Sequence, residues 1–184
     1  MDIFQALPAQ WQDESTRLVF RLAQPSDGAT FYPQWKDPVV ARQLGMVPAA
    51  SLSAVQTKLG YDLGQAQIGA AGRYVVVKSG RPVGIVGFND IDQTDARTEI
   101  GYEVLPEFQG QGLGQRIVAA MVRQAWGALS LNRVSAGVLP DNLASQKVLT
   151  HNHFIQEGRL RQFQRIGDQL TDLIVFSKVK NLDA

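Results

Sequence analysis

The 184-residue chain has no cysteine, only two histidines, and charged residues at only 19% of positions. Without cysteine there is no disulfide framework, no thiol nucleophile and no thiolate-based zinc site. His151 and His153 stand two residues apart, too little for a Ser-His-Asp triad or a multi-histidine metal centre. They are expected at a surface helix end, with no metal. An excess of one charge is missing as well. Eighteen basic residues oppose 17 acidic ones for a net charge of +1, so no overall field gathers nucleic acid or an anionic membrane surface. Apolar runs such as Tyr74–Val77 are strand-sized, far below the ~20 residues that span a bilayer. Residues Met1 to Gln10 lack the basic and apolar regions of a signal peptide, so a cytoplasmic location is expected. Any chemistry must come from carboxylates, hydroxyls, amides and backbone groups.

The length and the 45% hydrophobic content suit one domain over residues 1–184. Arg17–Leu22 reads as a first strand, followed by a helix that Ser26 or Asp27 caps and that carries Phe31, Tyr32 and Trp35. Asp37-Pro38 opens a second helix that stops at Gly45, and Ser51 or Ser53 opens a third with Leu52, Val55, Leu59 and Leu63 at helical spacing. Strands are expected at Arg73–Lys78, Val83–Asn89 and Arg97–Leu105. A long amphipathic helix begins near Leu113, a strand follows at Asn132–Val138, and Asn142–His151 is a short helix. A hairpin around Gly167-Asp168 closes the chain. This order describes a mixed αβ (α+β) domain with a largely antiparallel sheet of about seven strands.

Seventeen glycines are only a mild excess, but four of them fall between Gly101 and Gly114. There a strand enters a glycine-dense loop and an amphipathic helix follows at once. Glycine permits unusual dihedrals and close approach of a ligand, and the free N–H groups at a helix start attract a pyrophosphate. From Gln111 to Pro140 there is no acid, whereas Arg116, Arg123 and Arg133 are present. A P-loop requires Gly-Lys-Ser/Thr, and no glycine here precedes lysine. A G-x-G-x-x-G fingerprint fails from Gly110, which reaches Gln115, and from Gly112, which reaches Ile117.

What remains is Gln109-x-x-Gly112-x-Gly114. This resembles the Q/R-x-x-G-x-G/A loop of the GNAT acyltransferases. Glu99-Ile-Gly-Tyr before it, Asp141-Asn142-Leu-Ala-Ser145-Gln-Lys-Val-Leu after it and Phe154-Ile-Gln-Glu-Gly-Arg-Leu beyond resemble the ribosomal-protein N-terminal acetyltransferase branch. The likeness runs from Arg17 to Val179. It implies a twisted sheet splayed between the strands ending near Leu105 and Val138, with acetyl-CoA as co-substrate in the gap. It further implies that Gln109, Gly110, Gln111, Gly112, Leu113, Gly114 and Gln115 cradle the pyrophosphate. Backbone near Val104 would stabilise the thioester oxygen, and Asn142 would hydrogen-bond the pantetheine.

Transfer to an amine requires a neutral nucleophile and a protonated leaving thiolate. Glu99 matches a strand glutamate that serves as base in some members, directly or through water. Glu103 lies on the same face, where the resembled branch often carries an aromatic. Ser145 matches the proton donor to the thiolate; some relatives use a tyrosine, and none follows Tyr102. Two positions depart from the branch: His153 replaces a glycine, and Gln164 replaces an acidic base candidate. Trp35, Tyr32 and Phe31 either wall the acceptor pocket or pack the core.

With no cysteine for a covalent intermediate, direct attack in a ternary complex is expected. Weak base machinery favours an α-amine, roughly a third neutral near pH 7.5, over lysine, about 0.1% neutral. A protein or peptide N-terminus is therefore the expected acceptor. A small amine (polyamine, amino acid or antibiotic) is the alternative, and a non-catalytic acyl-CoA-binding module is the reading from a different class. Monomer and homodimer both stand open.

Overall fold

The computed structural model describes residues 6–180. Residues 1–5 of the segment read for targeting lie outside that range. Among the described residues eight strands form one sheet: β1 (Gln10–Asp13), β2 (Leu18–Leu22), β3 (Gly72–Lys78), β4 (Arg81–Asp92), β5 (Arg97–Val104), β6 (Arg133–Val138), β7 (Ile155–Ile166) and β8 (Gln169–Val179). Their spatial order is β1-β2-β3-β4-β5-β6-β8-β7. Every neighbouring pair is antiparallel except β5 and β6. The strand absent from the sequence reading is β1. It is four residues long and too short to show alternation, and it is held by Trp11 stacking on Phe20 at 3.9 Å between ring centroids.

Five helices cover the two faces: α1 (Gly28–Trp35), α2 (Pro38–Gln43), α3 (Leu52–Gln67), α4 (Leu113–Trp126) and α5 (Leu143–His151). The caps follow the sequence in two cases. Asp37 accepts from the N–H groups of Val39 and Val40 ahead of α2, and Ser51 accepts from Ala54 N ahead of α3. The cap expected on α1 is different. Asp27 ends a single 3-10 turn, Pro25–Asp27, and spends its carboxylate on Gln24 N and Arg21.

Two apolar clusters sandwich the sheet. Ile117, Val118 and Met121 of α4 pack with Phe88, Ile100, Val134 and Phe176 on one face. Phe31 and Trp35 of α1 and Val55 and Leu59 of α3 pack on Val75, Ile85 and Leu105 on the other. No helix among the described residues is long and apolar enough to cross a membrane.

The central irregularity is the β5–β6 junction. Only Arg97, Thr98 and Glu99 pair with Arg133, Val134 and Ser135. Beyond that point the strands diverge, as the family resemblance implied. β4 continues to pair with β5 as far as Val104, and β8 with β6 as far as Val138. Each diverging strand therefore keeps one partner and turns its other edge into an open wedge.

Candidate active site

The wedge holds a cleft of two joined lobes. One, of about 690 Å³, is bounded by Val104, Gln109, Gly112, Gly114, Ala144 and Val148. The other, of about 640 Å³, is bounded by Trp35, Asn89, Gly137, Gln164 and the strap of residues 43–50 between α2 and α3. Tyr102, Glu103, Asn142 and Ser145 border both lobes and so mark their junction.

The first lobe has a backbone geometry that can hold an anion. Gly110 and Gly112 both have left-handed backbone, with φ of +70° and +71°, a conformation that glycine adopts without steric cost. Gly112 is the N-cap of α4, and no side chain caps that helix. The first-turn N–H groups near Leu113, Gly114 and Gln115 are thus open to a ligand. The Leu113 side chain is in the core, which leaves only its backbone for that task. At Gly114 an added Cβ would meet Val148 Cγ2 at 3.3 Å, so the missing side chain lets α4 and α5 close together.

The glutamines of this loop brace it. Gln109 Nε2 donates to Val104 O at 3.0 Å, and Gln111 Nε2 donates to Glu107 O at 3.2 Å. The three arginines of the acid-free run are likewise committed elsewhere. Arg116 donates to Thr16 O, Arg123 pairs with Asp13, and Arg133 pairs with Glu157. The positive potential of the cradle therefore comes from backbone dipoles.

Val104 presents its N–H to the wedge. Leu105 N donates to Val83 O across the β4 side, and successive residues of an antiparallel pair turn their N–H groups to opposite edges. The Val104 N–H accordingly faces the β6 side, where no strand pairs with it.

At the junction, Asn142 caps α5 by accepting from Ser145 N at 3.0 Å, while its Nδ2 donates to Gln43 O at 3.2 Å. Ser145 Oγ lies 2.8 Å from Tyr102 Oη. Burial pushes the Tyr102 hydroxyl up to about 12, against the opposing hydrogen bond with Ser145.

The two glutamates differ sharply. Glu99 is exposed, borders neither lobe, and accepts from Asn89 Nδ2 at 3.2 Å. It stands four strand residues from Glu103, about 13 Å along the chain. Glu103 is buried, and its Oε2 accepts from Trp35 Nε1 at 2.7 Å. Its Oε1 has no partner among the described residues. Burial raises the Glu103 proton affinity above the ordinary carboxylate range, opposed by the Trp35 hydrogen bond and the Arg73 charge.

Of the three early aromatics, only Trp35 borders the cleft. Phe31 is wholly buried, and Tyr32 packs beside the same cluster. Gln164 is a clasp: its Nε2 donates to Gly45 O at 2.6 Å, tying the strap to β7. His151 is exposed in the last turn of α5, and His153 follows with a φ of +59°.

A GNAT acetyltransferase domain matches residues 17–155. The chain belongs to the GNAT acetyltransferases. It is 30% identical over 166 residues to the uncharacterized N-acetyltransferase p20 of Bacillus licheniformis, covering 89% of this chain and 93% of that protein. It is 28% identical over 113 residues to the ribosomal-protein-serine acetyltransferase of Escherichia coli strain K12, covering 61% and 63% of the two chains. The fold matches RimL, a ribosomal L7/L12 α-N-protein acetyltransferase in complex with coenzyme A, with a TM-score of 0.81, 23% identity and coverage of 95% and 98%. It also matches the Vibrio cholerae spermidine N-acetyltransferase, in complex with CoA and spermine, with a TM-score of 0.79, 17% identity and coverage of 89% and 96%. As a GNAT enzyme the protein is an acetyl-CoA-dependent N-acetyltransferase.

Tyr102 beside Ser145 and Glu103 beside Trp35 are pairings that sequence spacing did not reveal. Trp35 and Glu103 are 68 positions apart, and only the sheet brings them together. The available signal was a carboxylate at Glu103, on the helix-covered face of a strand, where an aromatic was expected.

Proposed function

We propose that this enzyme acetylates the α-amine of a protein or peptide N-terminus by direct attack within a ternary complex, in the cytoplasm. The observation that carries the reading is the junction itself: one end of a cleft with an uncapped helix start meets an acceptor lobe at Tyr102, Ser145 and Glu103. The glycine loop and the first turn of α4 would hold the pyrophosphate by backbone N–H groups. Asn142 keeps one amide hydrogen beyond those it has committed, which is available to the pantetheine. The Val104 N–H would donate to the thioester oxygen as charge builds there. Ser145 would return a proton to the departing sulfur, and Glu99, which borders neither lobe, would accept protons through water.

The ribosomal-protein acetyltransferases among the relatives support an N-terminal acceptor. So does the charge of the acceptor lobe, where Glu103 is the only acid on the wall among the described residues. An α-amine brings one positive charge to that wall, whereas a polyamine brings several. The test is acetylation of octapeptides beginning with Ala or Ser, set beside the same peptides N-blocked and carrying one lysine, and beside spermidine and free amino acids. Transfer to the free α-amine is expected. Preferential acetylation of lysine or spermidine would overturn the acceptor assignment, and tight CoA binding without transfer to any of them would indicate a binding module.

A further inference from the structure

A buried carboxylate oxygen without a donor is rare and costly. Glu103 Oε1 is such an atom: it is buried and without a partner among the described residues, on a residue that borders both lobes. We propose that Glu103 docks the acceptor's primary amine, Oε1 taking an N–H of the incoming ammonium while Trp35 holds Oε2. The inference rests on the acetyl-transfer reading above and names the group that selects a cationic nucleophile.

Three observations support it. First, Glu103 is the only acidic side chain bordering either lobe among the described residues, so an ammonium entering the cleft meets one counter-charge. Second, the Trp35 indole bond at 2.7 Å fixes the carboxylate plane and leaves the second oxygen uncommitted. Third, the other positions on this strand face cannot substitute. Gly101 has no side chain, and Glu99 borders neither lobe and accepts from Asn89.

The other charged groups on the acceptor wall are Lys58 and Arg73. Both are paired with Asp62, at 2.9 and 3.0 Å. That pairing moderates the positive charge facing the ammonium and leaves Glu103 as the attractive centre. Burial raises the proton affinity of this carboxylate, which suits it to receive a proton from the bound ammonium.

The proton balance closes. One N–H bond of the ammonium breaks and its proton passes to Oε1, freeing the nitrogen lone pair. The N–C bond then forms as the C–S bond breaks. A second proton from nitrogen reaches the sulfur by way of Ser145, and the first leaves Glu103 for solvent.

The experiment compares wild type with E103Q and W35F. The probes are octapeptides beginning with Ala or Ser, and the same peptides with the amine replaced by hydrogen, used as competitive ligands. CoA affinity and the thermal midpoint serve as controls for folding. E103Q is expected to bind CoA within about twofold of wild type and to lose at least 100-fold in kcat/KM for the peptide. The amine should tighten peptide binding to wild type about tenfold or more over the desamino form, and should give no such gain in E103Q.

W35F keeps the carboxylate but removes its donor, so the acidic limb of the kcat/KM profile is expected to move to higher pH. A wild type that acetylates the peptides, with E103Q within threefold of it, overturns the proposal alone. If E103Q does not fold, an unmoved pH limb in W35F overturns it. If wild type binds CoA but acetylates no peptide, the acetyl-transfer reading and this inference fail together.

Discussion

Tyr102 Oη lies 2.8 Å from Ser145 Oγ and 3.2 Å from the Ser145 carbonyl oxygen. Strand β5 thereby orients the hydroxyl at the start of α5, across 43 positions of sequence. Because burial pushes the Tyr102 hydroxyl up to about 12, it stays protonated at any working pH and remains a donor. Y102F should therefore leave CoA affinity unchanged and lower kcat about tenfold, through a misdirected Ser145. S145A should cost about 100-fold, within the range for a lost acid catalyst. The double variant should match S145A, because both changes act on one proton path. Steady-state kcat and KM for the three variants provide the check.

The helix cradle makes a separate prediction. Gly112→Ala places a Cβ on left-handed backbone at φ +71°, at a cost of about 1 kcal/mol. Affinity for CoA should fall about tenfold, while affinity for pantetheine, which lacks the pyrophosphate, should not change. Calorimetric titration with both ligands separates a damaged anion site from general loosening.

His153 supplies a stability prediction. It adopts a φ of +59° just beyond α5, whose C-cap is Asn152, where an L side chain is disfavoured and glycine is not. His153→Gly should stabilise the fold by about 0.5–1 kcal/mol, and His153→Val should destabilise it by a larger amount. Urea unfolding midpoints give the comparison.

Acid sensitivity follows from Asp13 and Glu157. Burial works against ionisation of Asp13, but hydrogen bonds from Arg123, Thr16 and Ser15 outweigh it and hold its carboxyl well below the usual range. Arg133 and Ser177 likewise lower Glu157, to about 2. Both groups bind protons more readily in the unfolded chain, so their stabilisation is complete above the unfolded pKa, about 4. It is lost as pH falls through the folded values. The thermal midpoint should drop between about pH 4 and pH 2, and D13N should flatten part of that slope. Scanning calorimetry across this range measures it.

Much of the architecture was legible because local rules and the tertiary fold agree. Asp37 and Ser51 cap their helices, Gly167 turns the last hairpin, and the glycine loop leads into α4 where the spacing placed it. The wedge between β5 and β6 also follows the resemblance. β1 was not legible, because its stability comes from Trp11 against Phe20 and not from its own four residues. The acceptor wall was harder still. Trp35 meets Glu103, and Gln164 meets Gly45, only after distant segments pack, and no periodicity encodes those distances. The partners of the arginines after the loop, at Thr16, Asp13 and Glu157, were hidden for the same reason, since they lie far away in sequence.

Asn142 caps α5 with its oxygen and holds Gln43 of the strap with its nitrogen, so one amide belongs to the walls of both lobes. A movement of the first turn of α5 on coenzyme binding would pass through this amide to the strap of residues 43–50. Linkage then requires reciprocity: whatever factor the coenzyme applies to peptide affinity, the peptide returns to coenzyme affinity. The side chain that caps a nine-residue helix would then couple the enzyme's two substrates.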